Sequence, residues 1–154
     1  MVDNAQVPIS PNFDIIKDEK IGFNDTIKIK SSQLTEVYHY SREFDTNIDY
    51  KLCTVQLNIP FSSLMYGCCC ARILLYLDDD MICDGSFAIQ KDWFLHPLNL
   101  FGHKTNLKKG HHKMKLMAAV NNNSELHIPH INFEGPEYTV KPTISGNLLI
   151  IGKN

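Results

Sequence analysis

The sequence lacks any run long enough to cross a bilayer. Its longest apolar stretches, Ile73-Leu74-Leu75-Tyr76-Leu77 and Leu148-Leu149-Ile150-Ile151, are of strand length, far short of the roughly 18–20 residues a spanning helix needs. No membrane insertion is expected. It also lacks an excess of charge of either sign, with 15 Lys and Arg against 17 Asp and Glu and a formal net charge of -2. A chain that binds nucleic acid over its surface is clearly basic, so no nucleic-acid partner is expected. The start, Met1-Val2-Asp3-Asn4-Ala5-Gln6-Val7-Pro8, has neither a positive region nor an apolar one, so no secretory signal is expected and the chain is read as one made in a reducing compartment. Without such a signal, the N-x-S/T matches at Asn24 and Asn122 carry little weight.

Cysteine is sparse and oddly placed. The five are Cys53, Cys68, Cys69, Cys70 and Cys83, an odd number with three in a row. A disulfide framework calls for an even count at separated positions, and a zinc site for ligand pairs at C-x₂₋₄-C spacing. Cys68 and Cys70 share a strand face, but small apolar filling of a strand is the reading adopted. Helical periodicity is missing too: no window of about 11 residues carries apolar positions at i, i+3, i+4 and i+7. Nucleotide-binding glycine loops and the nucleophile elbow G-x-S-x-G are absent, so no catalytic residue is assigned.

What is present is alternation. Thr26–Lys30 alternates; Tyr50–Ile59 places Cys53, Val55, Leu57 and Ile59 on one face; Lys113–Val120 does the same with Met114, Leu116, Ala118 and Val120. Such a pattern marks antiparallel strands with one buried and one wet face. Further strands are predicted at Phe13–Lys17, Thr35–Phe44, Cys68–Leu77, Met81–Cys83, Phe94–Leu100, Glu125–Ile131, Glu137–Lys141 and Asn147–Gly152. Turn residues separate them at the spacing of an all-β sandwich or barrel. Two hairpins are predicted, one turning at Asp78-Asp79-Asp80. The other turns at Lys108-Lys109-Gly110, with Gly110 in the left-handed region. Residues 1–12 read as an extended arm and residues 13–154 as one domain. The four apolar residues Leu148–Ile151 call for cover on both faces of their strand.

Lys104–Lys115 holds five of the chain's 15 Lys and Arg, together with His111 and His112, and no carboxylate. It is the leading candidate for a binding surface toward an anionic partner, with Lys108, Lys109, His111 and Lys113 as the proposed ligand-binding residues. A solubilising strand edge is the plainer reading. Asp78-Asp79-Asp80 lacks the spacing of a calcium loop and reads as a solvated tip. The seven histidines show no metal-ligand spacing: His127 and His130 fall on opposite strand faces, as do His111 and His112. Neither metal nor cofactor is expected. Trp93 reads as a core or interface anchor.

The block Ala71–Asp79, then Asp84-Gly85-Ser86, Trp93, Leu107–Lys115 and the closing Leu148–Ile151, resembles the compact jelly-roll modules of the complement globular-head and tumour-necrosis-factor type, including viral fibre and minor capsid counterparts. The resemblance covers roughly residues 35–152. It implies a homotrimer with apolar strands buried between subunits and binding carried by loops at one end. The Cys68–Cys70 triplet and the absence of a collagen-like stalk depart from the extracellular members and suit a virion component assembled in the cytoplasm. The expectation is therefore an antiparallel β-sandwich of jelly-roll type with about eight to ten strands. Its expected role is non-catalytic, an oligomeric structural or attachment module, viral in origin, with a protein or glycan partner. A lectin-like carbohydrate-binding module is the first alternative. It calls for an exposed Trp93 or tyrosine beside Asp or Asn side chains in a shallow groove. A cupin-like metal enzyme, needing three converging His or carboxylate side chains, is the second.

Overall fold

The computed structural model describes residues 12–22, 27–59, 63–65, 69–89, 94–95, 97–121, 124–128 and 144–154. Trp93, Cys68, His130 and the strand predicted at Glu137–Lys141 lie outside the described residues. The strands are β1 (Phe13–Gly22), β2 (Ile27–Ile29), β3 (Thr35–Glu36), β4 (Arg42–Thr46), β5 (Tyr50–Ile59), β6 (Ser63–Met65) and β7 (Cys69–Leu77). Then come β8 (Asp80–Asp84), β9 (Phe87–Ile89), β10 (Phe94–Leu95), β11 (Leu98–Leu107), β12 (Gly110–Val120), β13 (Glu125–Ile128) and β14 (Ile144–Lys153). Nine of them have four residues or more.

All pairings are antiparallel. The first large sheet runs β1-β14-β5-β11. The second runs β3-β12-β7-β8, with β4 also on β12 and β9 on β7, and a small third sheet runs β10-β6-β13-β2. Counting β1, β4, β5, β7, β8, β11, β12 and β14 as eight principal strands, their order is 1-8-3-6 in one sheet and 2-7-4-5 in the other. That interleaving is the jelly roll. Every connection between consecutive principal strands crosses from one sheet to the other, except β7 to β8.

The alternation read from the sequence is the alternation seen. Cys53, Val55, Leu57 and Ile59 of β5 are fully buried and share one core cluster with Met114, Leu116 and Ala118 of β12. Burying the Val, Leu, Ile and Met side chains among them contributes roughly 1.5–3 kcal/mol each. On β14, Leu148 and Ile150 enter the core while Leu149 and Ile151 are half-buried on the outer face. The strand at Thr35–Phe44 is broken: Tyr38–Tyr40 form one 3₁₀ turn between β3 and β4. Val37 and Tyr40, three apart, both point inward, which one turn of 3₁₀ helix allows and a continuous strand does not.

The first predicted hairpin is present, with Leu77 paired to Asp80 and Asp78 at φ 55°. The second is a correction. β11 pairs with β5 and β12 with β4 and β7, so Lys108-Lys109 is a crossing between sheets. Asn106 takes the αL conformation there at φ 55°, and Gly110 has the positive φ a glycine allows, at 139° rather than in αL itself. A short Gly-containing connection serves a hairpin or a crossing equally well; partner strands distant in sequence decide which.

The sandwich is closed along both edges. Arg42 of β4 donates from Nε to both carboxylate oxygens of Glu19 of β1, each at 3.0 Å. At the opposite edge β8 lies so close to β11 that a Cβ on Gly102 would overlap the backbone of Ile82.

Candidate functional site

The β4–β5, β7–β8 and β11–β12 connections meet at one end of the sandwich, and the sequence-predicted residues lie there or just beside it. His112, 6% exposed, is the node. Its Nδ1 lies 3.0 Å from Asp78 Oδ2 and its Nε2 lies 2.7 Å from the carbonyl oxygen of Lys108, with Thr46 Oγ1 at 3.3 Å. A carboxylate and a carbonyl can only accept, so each ring nitrogen of His112 faces an acceptor. Asp78 Oδ1 accepts from the Lys113 N–H, and the Asp78 N–H donates to the Lys113 carbonyl. Burial raises the Asp78 carboxyl, but the bonds from His112 and Lys113 outweigh it and hold the group below its usual range.

Around this node every lysine but Lys109, and His111 with them, meets a carboxylate. Lys104 lies 2.8 Å from Asp80 and 3.4 Å from Asp78, and the bond to Asp80 raises its pKa. Lys108 reaches Asp49 at 3.6 Å. The Lys109 N–H donates to Asp49 Oδ1 at 2.8 Å, which lowers the Asp49 pKa. His111 Nδ1 is 2.9 Å from Asp45 and Nε2 is 3.8 Å from Glu43, and the bond to Asp45 raises its pKa. Lys113 meets Glu36 at 3.0 Å and Lys115 meets Asp79 at 3.8 Å. Lys109 alone of the five lysines forms no side-chain ion pair among the described residues.

Lys108 and Lys109 thus sit in the crossing loop, and His111 and Lys113 project two residues apart from the outer face of β12. The four belong to one region, but a charge-compensated one. The carboxylates come from β3, β4, the β4–β5 connection and the acidic turn, which a local reading of Lys104–Lys115 does not contain. The acidic tip is likewise more than solvated: Asp79 is fully exposed, while Asp78 is partly buried and anchors His112.

Tyr38 is the residue the sequence reading passed over. Its 3₁₀ turn is tied down by Val37 N–H to the Leu116 carbonyl at 2.8 Å and by Arg42 Nη1 to the His39 carbonyl at 2.7 Å. The turn raises the Tyr38 ring out of the surface, 75% exposed. Tyr38, Ser41, Arg42, Glu43 and Lys113 line a shallow depression of about 260 Å³ beside it. The signal for this was the inward pair Val37 and Tyr40, whose spacing leaves Tyr38 outside.

Two other groups hold structural places. The Cys53 thiol is pushed up to about 11, first by burial and then by the Asp78 charge. Ser145 Oγ donates to the Gly22 carbonyl at 2.8 Å, and His39 Nε2, 3.5 Å from that hydroxyl, lies 3.0 Å from the same carbonyl. Among the described residues no group of three or more His, Cys, Asp or Glu is placed to hold a metal ion.

The fold and this end of it define a β-sandwich module of the jelly-roll class. No family model matches the chain, and no curated protein matches it in sequence. Among solved structures, dimeric latent PorU from Porphyromonas gingivalis is similar over 96% of this chain and 14% of its own, at 9% identity and a TM-score of 0.42. The VP2 subviral particle of infectious bursal disease virus is similar over 94% of this chain and 37% of its own, at 9% identity and 0.36. The globular domain of zebrafish complement 1qA is similar over 88% and 96%, at 11% identity and 0.27. These are loose resemblances at the level of the fold. The chain spans well under half the length of PorU and VP2.

Proposed function

We propose that the chain is a non-catalytic jelly-roll module that assembles with copies of itself as a trimer and presents its outer surface to a protein or glycan partner. In this reading it is a capsid or fibre component of a virus, assembled in the cytoplasm. One observation carries the assembly: the outer face of the first sheet has an apolar patch at the end where Phe13 and Ile15 of β1, Ile151 of β14 and Leu52 of β5 come together. Phe13 and Ile15 are 46% and 60% exposed, and the register sets Ile15 beside Ile151 and brings Phe13 beside Lys153, which pairs with Leu52. Phe13, Leu52, Thr54, Ile151 and Lys153 line one depression there. A contiguous exposed apolar patch marks an interaction surface, and a second copy is the occupant always at hand.

The free thiols of Cys53, Cys70 and Cys83 suit a reducing site of assembly. The protonated Cys53 thiol and the hydrogen-bonded Ser145 hydroxyl suit a role without nucleophilic chemistry. The test is solution mass by light scattering in reducing buffer with chelator. A trimer gives about 53 kDa, three times the 17.6 kDa chain, and Phe13→Asp combined with Ile15→Lys returns it to the monomer. A wild-type chain that stays monomeric at the highest soluble concentration overturns the assembly.

A further inference from the structure

We propose that the depression beside Tyr38 is a binding site for a neutral pyranose, the terminal unit of a glycan. The inference rests on the reading of the chain as a partner-presenting module and names the class of partner. It starts from the platform. A large aromatic ring held in the open by a rigid backbone is costly to leave solvated and loses little entropy when a ligand covers it. The ring face of Tyr38 offers an apolar plane against which the C–H groups of a sugar ring pack.

The rim supplies what the hydroxyls of the same ring need. Glu43 accepts and Lys113 donates. Arg42 uses Nε on Glu19 and Nη1 on the carbonyls of His39 and Ser41, leaving Nη2 without a protein partner among the described residues. Ser41 is already committed to the Val37 carbonyl and the Leu116 N–H, so it shapes the floor. Charge then selects the ligand class. Lys113 is neutralised by Glu36 at 3.0 Å and Arg42 by Glu19, while Glu43 adds a further carboxylate. An anion gains little here and a polyhydroxylated neutral ring gains paired hydrogen bonds. The volume of about 260 Å³ is below the roughly 300–1,000 Å³ of sites for drug-sized ligands and admits one ring.

The experiment is an amide NMR titration of the full chain with the methyl glycosides of glucose, galactose, mannose and N-acetylglucosamine. Inorganic phosphate and sialic acid serve as anionic probes. At least one neutral sugar is expected to shift the amides of Tyr38, Ser41, Glu43 and Lys113, with a Kd of about 1–10 mM for a ligand of this size. Tyr38→Ala should weaken that binding by about tenfold or more and Tyr38→Trp should preserve it, both with near-wild-type melting since the ring is exposed. The proposal is overturned by no shift at about 100 mM of any neutral sugar, a concentration far above that Kd. It is also overturned by binding indifferent to Tyr38→Ala, or by phosphate or sialic acid alone acting on these amides. Repeating the titration on the Phe13→Asp, Ile15→Lys variant separates the two readings. Sugar binding by a monomer keeps this site whatever the fate of the trimer, and a trimer without sugar binding removes the site alone.

Discussion

His112 and Asp78, 34 residues apart, are joined at 3.0 Å between Nδ1 and Oδ2, and through them the β7–β8 turn is bound to the strand that follows the lysine-rich crossing. Removing one partner of such a pair leaves the other desolvated without compensation. Asp78→Ala is therefore expected to cost about 1–3 kcal/mol, read as a lower urea midpoint at unchanged slope. A loss of a few tenths would show that the node holds nothing together.

The same carboxylate predicts the acid limb of stability. Asp78 titrates lower in the fold than in the unfolded chain, so its contribution is full above the unfolded value near 4 and is lost as pH falls through the folded one. Asp49 and Glu125 act in the same sense, through the Lys109 N–H and through His127 with Lys30. His111 is opposite in sign: raised chiefly by Asp45, it contributes fully below about 6.5 and is lost as pH rises through its higher folded value. Urea unfolding across pH 2–9 should show Asp78→Asn shallower on the acid side and His111→Gln flatter above neutrality. Profiles parallel to wild type would contradict both assignments.

Reversal of the lysines should not be uniform. Lys109→Glu removes no ion pair and should leave the melting temperature unchanged, whereas Lys113→Glu breaks the contact with Glu36 and sets a third carboxylate beside Glu36 and Glu43. Losing an exposed attraction and gaining a like-charge repulsion both act against the fold, so Lys113→Glu should be the less stable variant. Should Lys108→Glu with Lys109→Glu leave the affinity of an anionic partner untouched, the crossing loop is not its docking site.

Thiol chemistry distinguishes buried from open positions. With its thiol at about 11 and no exposed surface, Cys53 should resist alkylation at neutral pH in the native protein, while exposed Cys70 reacts. Peptide mapping by mass spectrometry reads this directly. Modification of Cys53 as fast as Cys70 would place its strand outside the core.

Gly102 is a packing prediction. Its missing Cβ is what lets β8 approach β11, since the group it would meet is the Ile82 backbone, which cannot move aside as a side-chain tip does. Gly102→Ala should cost about 1–3 kcal/mol, measured by thermal or urea unfolding.

Much of this molecule was legible in the sequence because strand alternation is a local property. Residues two apart share a face, so Cys53, Val55, Leu57 and Ile59 announced a core-facing strand, and His111 and His112 announced opposite faces. The Asp78-Asp79 turn was legible for the same reason, both of its strands being adjacent in the chain. The lysine-rich segment misled where it was read as a hairpin, because Lys108-Lys109-Gly110 has the chemistry of a tight turn whichever sheet follows it. Tyr38 was hidden inside a stretch read as continuous strand, where the i, i+3 burial of Val37 and Tyr40 is a weak signal over so few residues.

The sequence by itself determined the all-β character, the core-facing side of the long alternating strands, and the Asp78-Asp79 turn. These depend on the order of apolar and polar residues over a few positions. The tertiary structure decided which strands pair and therefore which charges meet. Thr46 contacts Lys108, 62 positions away, and Lys113 contacts Glu36 across two different strands. Pairing of that kind is selected by burying all the apolar faces at once, and no local pattern encodes it.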